Sequence, residues 1–256
     1  MEDKFKIAIE HFNKDEYDLA IKEFEKLIEE DPTDPNLYNN IGTAYYRSKN
    51  YDKAIESYKK ALELNPAISQ VYENLADIYL AQNDIREAIA QIEKALTVNP
   101  DDTGIIYHYA MILLEDFNYE LAIEALEEVV EKAPDNLEAQ YDLARTYFQM
   151  ANYDNAIAQF KKILTLMPQN ADMHYHLGVA YEANDQIEEA IREFVIATEF
   201  NNGHFLAHKQ LGVLLTSQGR FIEAIEEFQN YMNIIGDPDE KKVIEGVIER
   251  IKAKIK

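Results

Sequence analysis

The sequence writes one pattern seven times at a spacing of 34 residues, without a single insertion or deletion. When each frame of 34 residues is numbered from Met1, position 20 is alanine in all seven frames and position 21 is isoleucine. The alanines are Ala20, Ala54, Ala88, Ala122, Ala156, Ala190 and Ala224. Position 8 holds only Ala or Gly, and position 32 is proline in the first five frames. A strict period of this length indicates stacked copies of one structural unit.

Each frame predicts two amphipathic helices joined by a short polar turn. In frame two one apolar stripe comprises Leu37, Ile41, Ala44 and Tyr45, and a second comprises Ala54, Ile55, Tyr58, Ala61 and Leu62. Proline at position 32 lacks an amide hydrogen and ends the second helix. Small residues at positions 8 and 20 let the two helices approach closely. Because two helices of about 12 residues cannot bury their apolar faces alone, the frames must stack.

This pattern resembles the tetratricopeptide repeat (TPR) family over residues 1–238. The residues of frame two that carry the resemblance are Tyr38, Ile41, Gly42, Tyr45, Ala54, Tyr58, Ala61 and Pro66. The resemblance implies an all-α, right-handed superhelical α-solenoid of helical hairpins in one domain spanning 1–256. The expected repeats are 1–34, 35–68, 69–102, 103–136, 137–170, 171–204 and 205–238, followed by a C-terminal capping helix at 239–256.

The last segment has the signals of a helix start. Asp237 is a predicted N-cap, Pro238 occupies the first helical position, and Glu240 follows at the spacing of a capping box. The apolar residues expected to share one face are Val243, Ile244, Val247, Ile248, Ile251 and Ile255. A cap over the last hairpin is the favoured interpretation. A helix lying on a membrane is the alternative, because the segment also carries Lys241, Lys242, Lys252, Lys254 and Lys256.

Composition excludes several classes of function. The chain has no cysteine, which removes disulfides, thiolate metal sites and thiol nucleophiles. Its net charge of −23 repels a phosphate backbone, so nucleic-acid binding is not expected. No apolar run approaches the roughly 18 to 20 residues of a membrane span. Without a recognisable signal peptide, a cytoplasmic location is expected.

Motifs for catalysis, phosphate loops or metal sites are not found in the sequence, so a non-catalytic protein without a cofactor is expected. His174 and His176 lie two residues apart on a predicted helix and point about 200° apart, so they cannot share a metal ion. His204 and His208 have a better spacing, but no third ligand is evident. Structural or surface roles are the simpler interpretation for these histidines.

In the TPR family, positions 2, 5, 6, 9, 12 and 13 of the first helix face a concave groove. Here position 6 always holds a hydrogen-bonding side chain, and position 5 holds tyrosine in three successive frames. Such rows could grip the backbone and side chains of an extended peptide, although exposed helix positions also tend to be polar for solubility alone. The residues predicted to bind a partner are Asn40, Arg47, Asn74, Asp77, Tyr107, His108, Tyr141, Asp142, Arg145, Tyr175, His176, Lys209 and Gln210.

Comparison with two known TPR binding modes narrows the partner. Asn40 and Asn74 resemble the start of the asparagine ladder in O-GlcNAc transferases, but His108 and Asp142 interrupt it. No three consecutive frames supply the basic residues of the carboxylate clamp that holds chaperone tails. The groove positions carry the acidic residues Glu2, Glu73, Asp77, Glu115, Glu138, Asp142, Asp172 and Glu182, against the basic residues Lys6, Arg47, Arg145 and Lys209. A protein or peptide partner with basic and apolar side chains is therefore favoured.

The sequence thus predicts a non-catalytic scaffold that binds a peptide segment or helix of another protein. Two alternatives stay open at this point. The chain could be a structural module that associates with copies of itself, or a module that recruits substrates to an enzyme on another chain.

Overall fold

The computed structural model describes residues 2–255, which form fifteen α-helices and no strand. The helices are α1 (Glu2–Asn13), α2 (Tyr17–Glu30), α3 (Pro35–Arg47), α4 (Tyr51–Leu64), α5 (Ser69–Ala81), α6 (Ile85–Val98), α7 (Thr103–Glu115), α8 (Tyr119–Lys132), α9 (Leu137–Gln149), α10 (Tyr153–Leu166), α11 (Ala171–Ala183), α12 (Ile187–Phe200), α13 (Phe205–Ser217), α14 (Phe221–Ile234) and α15 (Pro238–Ile255). The predicted all-α fold is confirmed. Within the described range, no helix combines the length and apolar character needed to traverse a bilayer.

The chain divides into two compact units, Met1–Ala133 and Pro134–Lys256. In the first unit, helices α1 to α8 pair into four hairpins, and each hairpin packs against the next. In the second unit, α9 to α14 form three hairpins in the same way, and α15 packs against α14. The extent of a single domain over 1–256 and the exact repeat boundaries stay predictions.

The two helices of each hairpin meet through the small residues at positions 8 and 20. All seven alanines at position 20 are fully buried. A methyl group added to Gly42 would lie 2.7 Å from the Tyr58 ring, and one added to Gly178 would lie 2.7 Å from the Phe194 ring. Because these contacts leave no room for a larger side chain, the predicted close approach of the helices is confirmed.

Position 15 forms the tight turn of every hairpin in a left-handed backbone conformation. Positive φ angles occur at Asp15, Lys49, Asn83, Phe117, Ala151, Asp185 and Gly219. Glycine adopts this conformation without strain, whereas residues with a side chain lose free energy there. Only the seventh frame uses glycine, so the other turns are held in place by the packing of the helices that they join.

The end helix α15 differs in two respects from the sequence expectation. Ile244, Ile248 and Ile251 are buried, whereas Val243 and Ile255, predicted on the same face, are 63% and 48% exposed. Spacings of four and three residues define a narrow stripe, and Val243 lies one residue before it, about 100° around the helix.

The predicted N-cap is present, but the capping box is not. The Asp237 carboxylate accepts a hydrogen bond from the amide of Asp239 at 2.9 Å, and Pro238 is the first helical residue. Glu240, however, bonds Lys209 and Tyr231 instead of returning to its own helix start. A charged partner on a neighbouring helix replaces the local bond, because hydrogen bonds between ionised groups are the stronger ones.

Candidate functional site

The first helices of the hairpins bear the predicted binding residues, and a recurrent offset of 35 residues pairs them. Position 5 of one frame meets position 6 of the next frame, on the neighbouring first helix of the same unit. The pairs are Asn39 with Asn74, Glu73 with His108, and Tyr141 with His176. Neighbouring first helices are therefore in contact one residue out of register with the 34-residue period.

His108 on α7 lies between two carboxylates of α5. Its Nε2 atom is 3.2 Å from Oδ1 of Asp77, and its Nδ1 atom is 3.9 Å from Oε2 of Glu73. The Asp77 carboxylate, and after it Glu73, raises the pKa of His108 to about 9 against the opposing effect of burial. His108 is thus protonated at neutral pH, and the three groups together retain one negative charge.

The two asparagines that resembled a ladder are not partners of each other. Asn74 donates from Nδ2 to Oδ1 of Asn39 at 3.0 Å and accepts a bond from Gln70 at 3.3 Å. Asn40 lies half-buried on α3, one position further along the helix. The expected pairing of position 6 with position 6 was therefore wrong by one residue, because of the offset between neighbouring first helices.

Two other predicted residues of the first unit are placed on the expected helices. Arg47 is exposed at the end of α3, where its Nε lies 3.5 Å from the hydroxyl of Tyr17. Tyr107 is half-buried on α7, directly before His108. The first unit thus presents amide, carboxylate and imidazolium groups on its first helices.

An aromatic cluster forms in the second unit around His176 of α11. The hydroxyl of Tyr141 is 3.2 Å from Nε2 of His176, and the ring of Phe160 stacks on the imidazole with centroids 5.8 Å apart. Burial lowers the pKa of His176, in contrast to His108. This imidazole is therefore neutral at physiological pH and acts as a hydrogen-bonding aromatic ring.

Tyr175 extends the aromatic cluster toward α13. Its ring centroid lies 5.7 Å from that of Phe194 and 4.9 Å from that of His204. The Nδ1 atom of His204 accepts the amide of Ala207 at 3.1 Å, which places the ring proton on Nε2, 3.3 Å from Oδ1 of Asp172. His204 is thus a neutral donor, and the charge of Asp172 is not cancelled by it.

The two predicted basic residues of the second unit have carboxylate partners. Arg145 is exposed and bonds Oδ1 of Asp142, a largely buried side chain, at 3.1 Å. Lys209 lies 2.9 Å from Oε1 of Glu240, and this contact raises the pKa of the lysine. Both positive charges are therefore compensated within the unit.

Gln210 and Glu182 connect α13 to α11. Nε2 of Gln210 donates to Oε2 of Glu182 at 3.2 Å. Glu182 is half-buried, and burial raises the pKa of its carboxyl group. Its hydrogen-bond donor is a neutral amide, so the carboxylate lacks the stabilisation that a cation would give.

Two further histidines of the second unit are internal. His174 and His208 are buried, with Nδ1 at 2.7 Å from Glu193 and 2.6 Å from Glu227, respectively. Each Nε2 lies 3.1 Å from a backbone carbonyl oxygen of the preceding turn. Among residues 2–255, no group of three or more potential ligands is arranged to hold a metal ion.

The structure places the predicted residues on the first helices but pairs them with residues outside the predicted set. Asn39, Glu73, Glu182 and His204 all contact predicted residues or stack on them. Three of the four lie at groove positions 5 or 12 of their frames, and that membership was the available signal. His204 precedes its helix as the N-cap, where no groove position applies.

Four family models match the chain, and all describe the same repeat. The model of the cytochrome c-type biogenesis protein H TPR domain matches residues 70–174. Two tetratricopeptide repeat models match residues 35–67 and 149–203, and a TPR repeat model matches residues 10–49.

Solved structures agree with the family models. YrrB, described as a TPR protein with an unusual peptide-binding site, is 27% identical, with 72% of this chain and 95% of YrrB covered and a TM-score of 0.61. The C-terminal part of a TPR repeat-containing protein from Cytophaga hutchinsonii is 22% identical, with 94% and 98% covered and a TM-score of 0.81. MamA from Desulfovibrio magneticus RS-1 is 20% identical, with 65% and 94% covered and a TM-score of 0.58.

No curated protein matches the chain in sequence. The family models nevertheless cover residues from 10 to 203 with hardly a gap, and the helical hairpins follow the 34-residue period throughout the part of the chain that the structure describes. The chain belongs to the tetratricopeptide repeat family.

Proposed function

We propose that this protein-interaction scaffold binds an extended peptide or a helix of a partner protein on the groove face of its first helices. The observation that carries the proposal is the cluster of Tyr141, Tyr175 and His176, whose rings are partly exposed on α9 and α11. Aromatic rings offer large contact areas at a small entropic cost, and their hydroxyl and imidazole groups can bond a peptide backbone. A peptide lying across the neighbouring first helices would find both kinds of contact at once.

A structural neighbour supports the same kind of ligand. YrrB, at 27% identity, is described as having a peptide-binding site, although an unusual one. The other two neighbours are below 25% identity and bear on the fold alone. The scaffold itself needs no catalytic group to act in this way, since a TPR surface works by binding.

Charge favours a partner segment with basic and apolar side chains. Lys6 lies 3.0 Å from Glu2, and the groove cations Arg145 and Lys209 have the carboxylate partners described above. The groove face is therefore acidic after its own ion pairs are counted, and the whole chain has a net charge of −23. Binding of a basic segment should weaken as salt is added, because the attraction is screened.

The test uses a random peptide library displayed on phage, selected on the full chain. Peptides that bind should lose about 2 kcal/mol of affinity when Tyr141→Ala removes an aromatic anchor, with the helical signal in circular dichroism unchanged. Glu226→Ala, an exposed change on α14, is the matched control and should leave affinity unaltered. If the peptides tolerate alanine at Tyr107, Tyr141 and Tyr175 while changes on the second helices abolish binding, the groove proposal is wrong.

A further inference from the structure

One patch of the second unit combines apolar surface with an uncompensated carboxylate. Tyr175, Val179 and Glu182 follow one another at four and three residues along α11 and share one face of that helix. Gln210 and Val213 lie on α13, and the bond from Gln210 to Glu182 brings the two helices together there. We call these five residues the frame-six patch. Val213 is 46% exposed, so the patch is open to solvent.

The electrostatics of the patch favour a positive charge at Glu182. Within residues 2–255, the structure gives this carboxylate no cationic partner, and Gln210 donates to it as a neutral group. Lys209 is near, but its ammonium group bonds Glu240 and lies 5.3 Å from the centroid of the Tyr231 ring. Burial already raises the pKa of Glu182, so a cation that reaches this carboxylate would relieve a cost that the folded protein carries.

The apolar members of the patch limit which cation fits. The ring of Tyr175 and the side chains of Val179 and Val213 offer aliphatic and aromatic contacts beside the carboxylate. A small inorganic cation gains nothing from such a surface, and an apolar side chain gains nothing from Glu182. Lysine and arginine combine an apolar stem with a charged end, and their cations are also attracted to aromatic faces.

We propose that the frame-six patch binds a lysine or arginine side chain of the partner segment, with the stem on Val179 and Val213 and the cation at Glu182. This inference rests on the proposed function, because it requires a segment lying on the first helices. It adds the residue that selects the segment: Glu182 determines specificity for a basic residue at one point along the bound chain.

A double-mutant cycle on peptides selected with the full chain tests the proposal. Selected peptides should contain lysine or arginine next to apolar residues. Replacing that basic residue by norleucine keeps the stem and removes the charge, and should weaken binding to the unaltered protein about tenfold. Glu182→Gln should weaken the parent peptide by a similar factor, and the norleucine peptide should bind both proteins almost equally, because the two changes remove one interaction.

Two variants guard the interpretation. Glu226→Gln removes the same charge from the exposed side of α14 and should leave the affinity of the parent peptide unchanged. Val213→Lys places a cation inside the patch and should also reduce binding about tenfold by occupying Glu182. This second variant makes the test independent of whether Glu182→Gln alters the bond to Gln210.

The outcomes separate this inference from the proposed function. If the peptides lose affinity with Tyr141→Ala but show no coupling between their basic residue and Glu182, the patch assignment is overturned and groove binding stands. Peptides without any basic residue would overturn it as well. A library that yields no binder at all overturns both.

Discussion

The Nδ1 atom of His208 lies 2.6 Å from Oε2 of Glu227, while its Nε2 atom lies 3.1 Å from the carbonyl oxygen of Asn202. Both ring nitrogens face acceptors, and only the protonated imidazole can donate to both at once. His174 repeats the arrangement one frame earlier with Glu193. These histidines therefore prefer the charged form although they are buried.

Frame five fills the same two positions with Gln140 and Gln159. Gln140 donates to the carbonyl oxygen of Pro134, as the histidines do to theirs. Its Oε1 and Nε2 of Gln159 are buried and have no hydrogen-bond partner in the described structure. A neutral pair at these positions is thus compatible with a folded repeat, which provides a template for a variant.

The first prediction is that the double change His208→Gln with Glu227→Gln makes stability less sensitive to pH. Burial lowers the pKa of His208, but the bonds to Glu227 and to the Asn202 carbonyl outweigh it and raise the pKa. A raised folded pKa stabilises fully below the ordinary imidazole pKa of about 6.5, and this stability is lost as pH rises through the folded value. Urea denaturation at several pH values measures the free energy of unfolding. The variant should lose part of the decline above about pH 6.5, and an unchanged decline would contradict the imidazolium assignment.

The second prediction concerns His108, whose pKa of about 9 also exceeds the ordinary value. A proton NMR titration should find the imidazole still charged at neutral pH and titrating far above the other histidines. Asp77→Asn removes the nearer carboxylate and should bring the pKa back toward about 6.5. His108 should contribute stability of order 2 kcal/mol that is present below about pH 6.5 and lost as pH rises toward 9. A titration at or below the ordinary value in the unaltered protein would refute the ion pair.

The third prediction tests the close helix contact at position 20. Ala122→Leu adds bulk to a fully buried site and should destabilise the protein by about 1 to 3 kcal/mol. Ala158→Leu is the matched control, because Ala158 is exposed on α10. Thermal and urea denaturation compare the two. Equal stability of both variants would mean that the hairpin interior has more room than the structure indicates.

The fourth prediction uses the turn at position 15. Ala151 has a φ angle of 55°, which alanine adopts only at a cost, whereas the seventh frame has Gly219 in the same place. Ala151→Gly should therefore stabilise the protein by up to about 1 kcal/mol. The same substitution in a helix, Ala158→Gly, should destabilise it by about 0.5 to 1 kcal/mol. Matching signs for the two variants would contradict the left-handed turn.

Much of the fold follows from the sequence, because its determinants are local. Alanine at position 20 and glycine at Gly42 or Gly178 are required by contacts inside one hairpin, and a 34-residue period displays them directly. The end helix was less predictable. Its apolar residues cover more of the circumference than α14 buries, so sequence spacing alone assigned Val243 to the buried face.

The candidate site could be predicted only as a set of helix faces. Position within a frame places Asn74 on the correct helix, but its partner depends on how far the neighbouring first helix is displaced, and the repeat period does not encode that displacement. Charge adds a second limit, since Glu240 matches a local capping pattern yet bonds Lys209 on another helix. Long-range contacts of this kind are decided by tertiary packing.

The one-residue displacement between first helices has a consequence for anyone who rearranges these repeats. Asn39 and Asn74, like Tyr141 and His176, belong chemically together but are inherited from different repeats. Transplanting one repeat into another array would separate such a pair at each seam, even though the hairpin itself arrives intact. The smallest portable piece of this surface is therefore three helices, a hairpin together with the first helix of its successor, and cuts for shuffling should fall after that third helix.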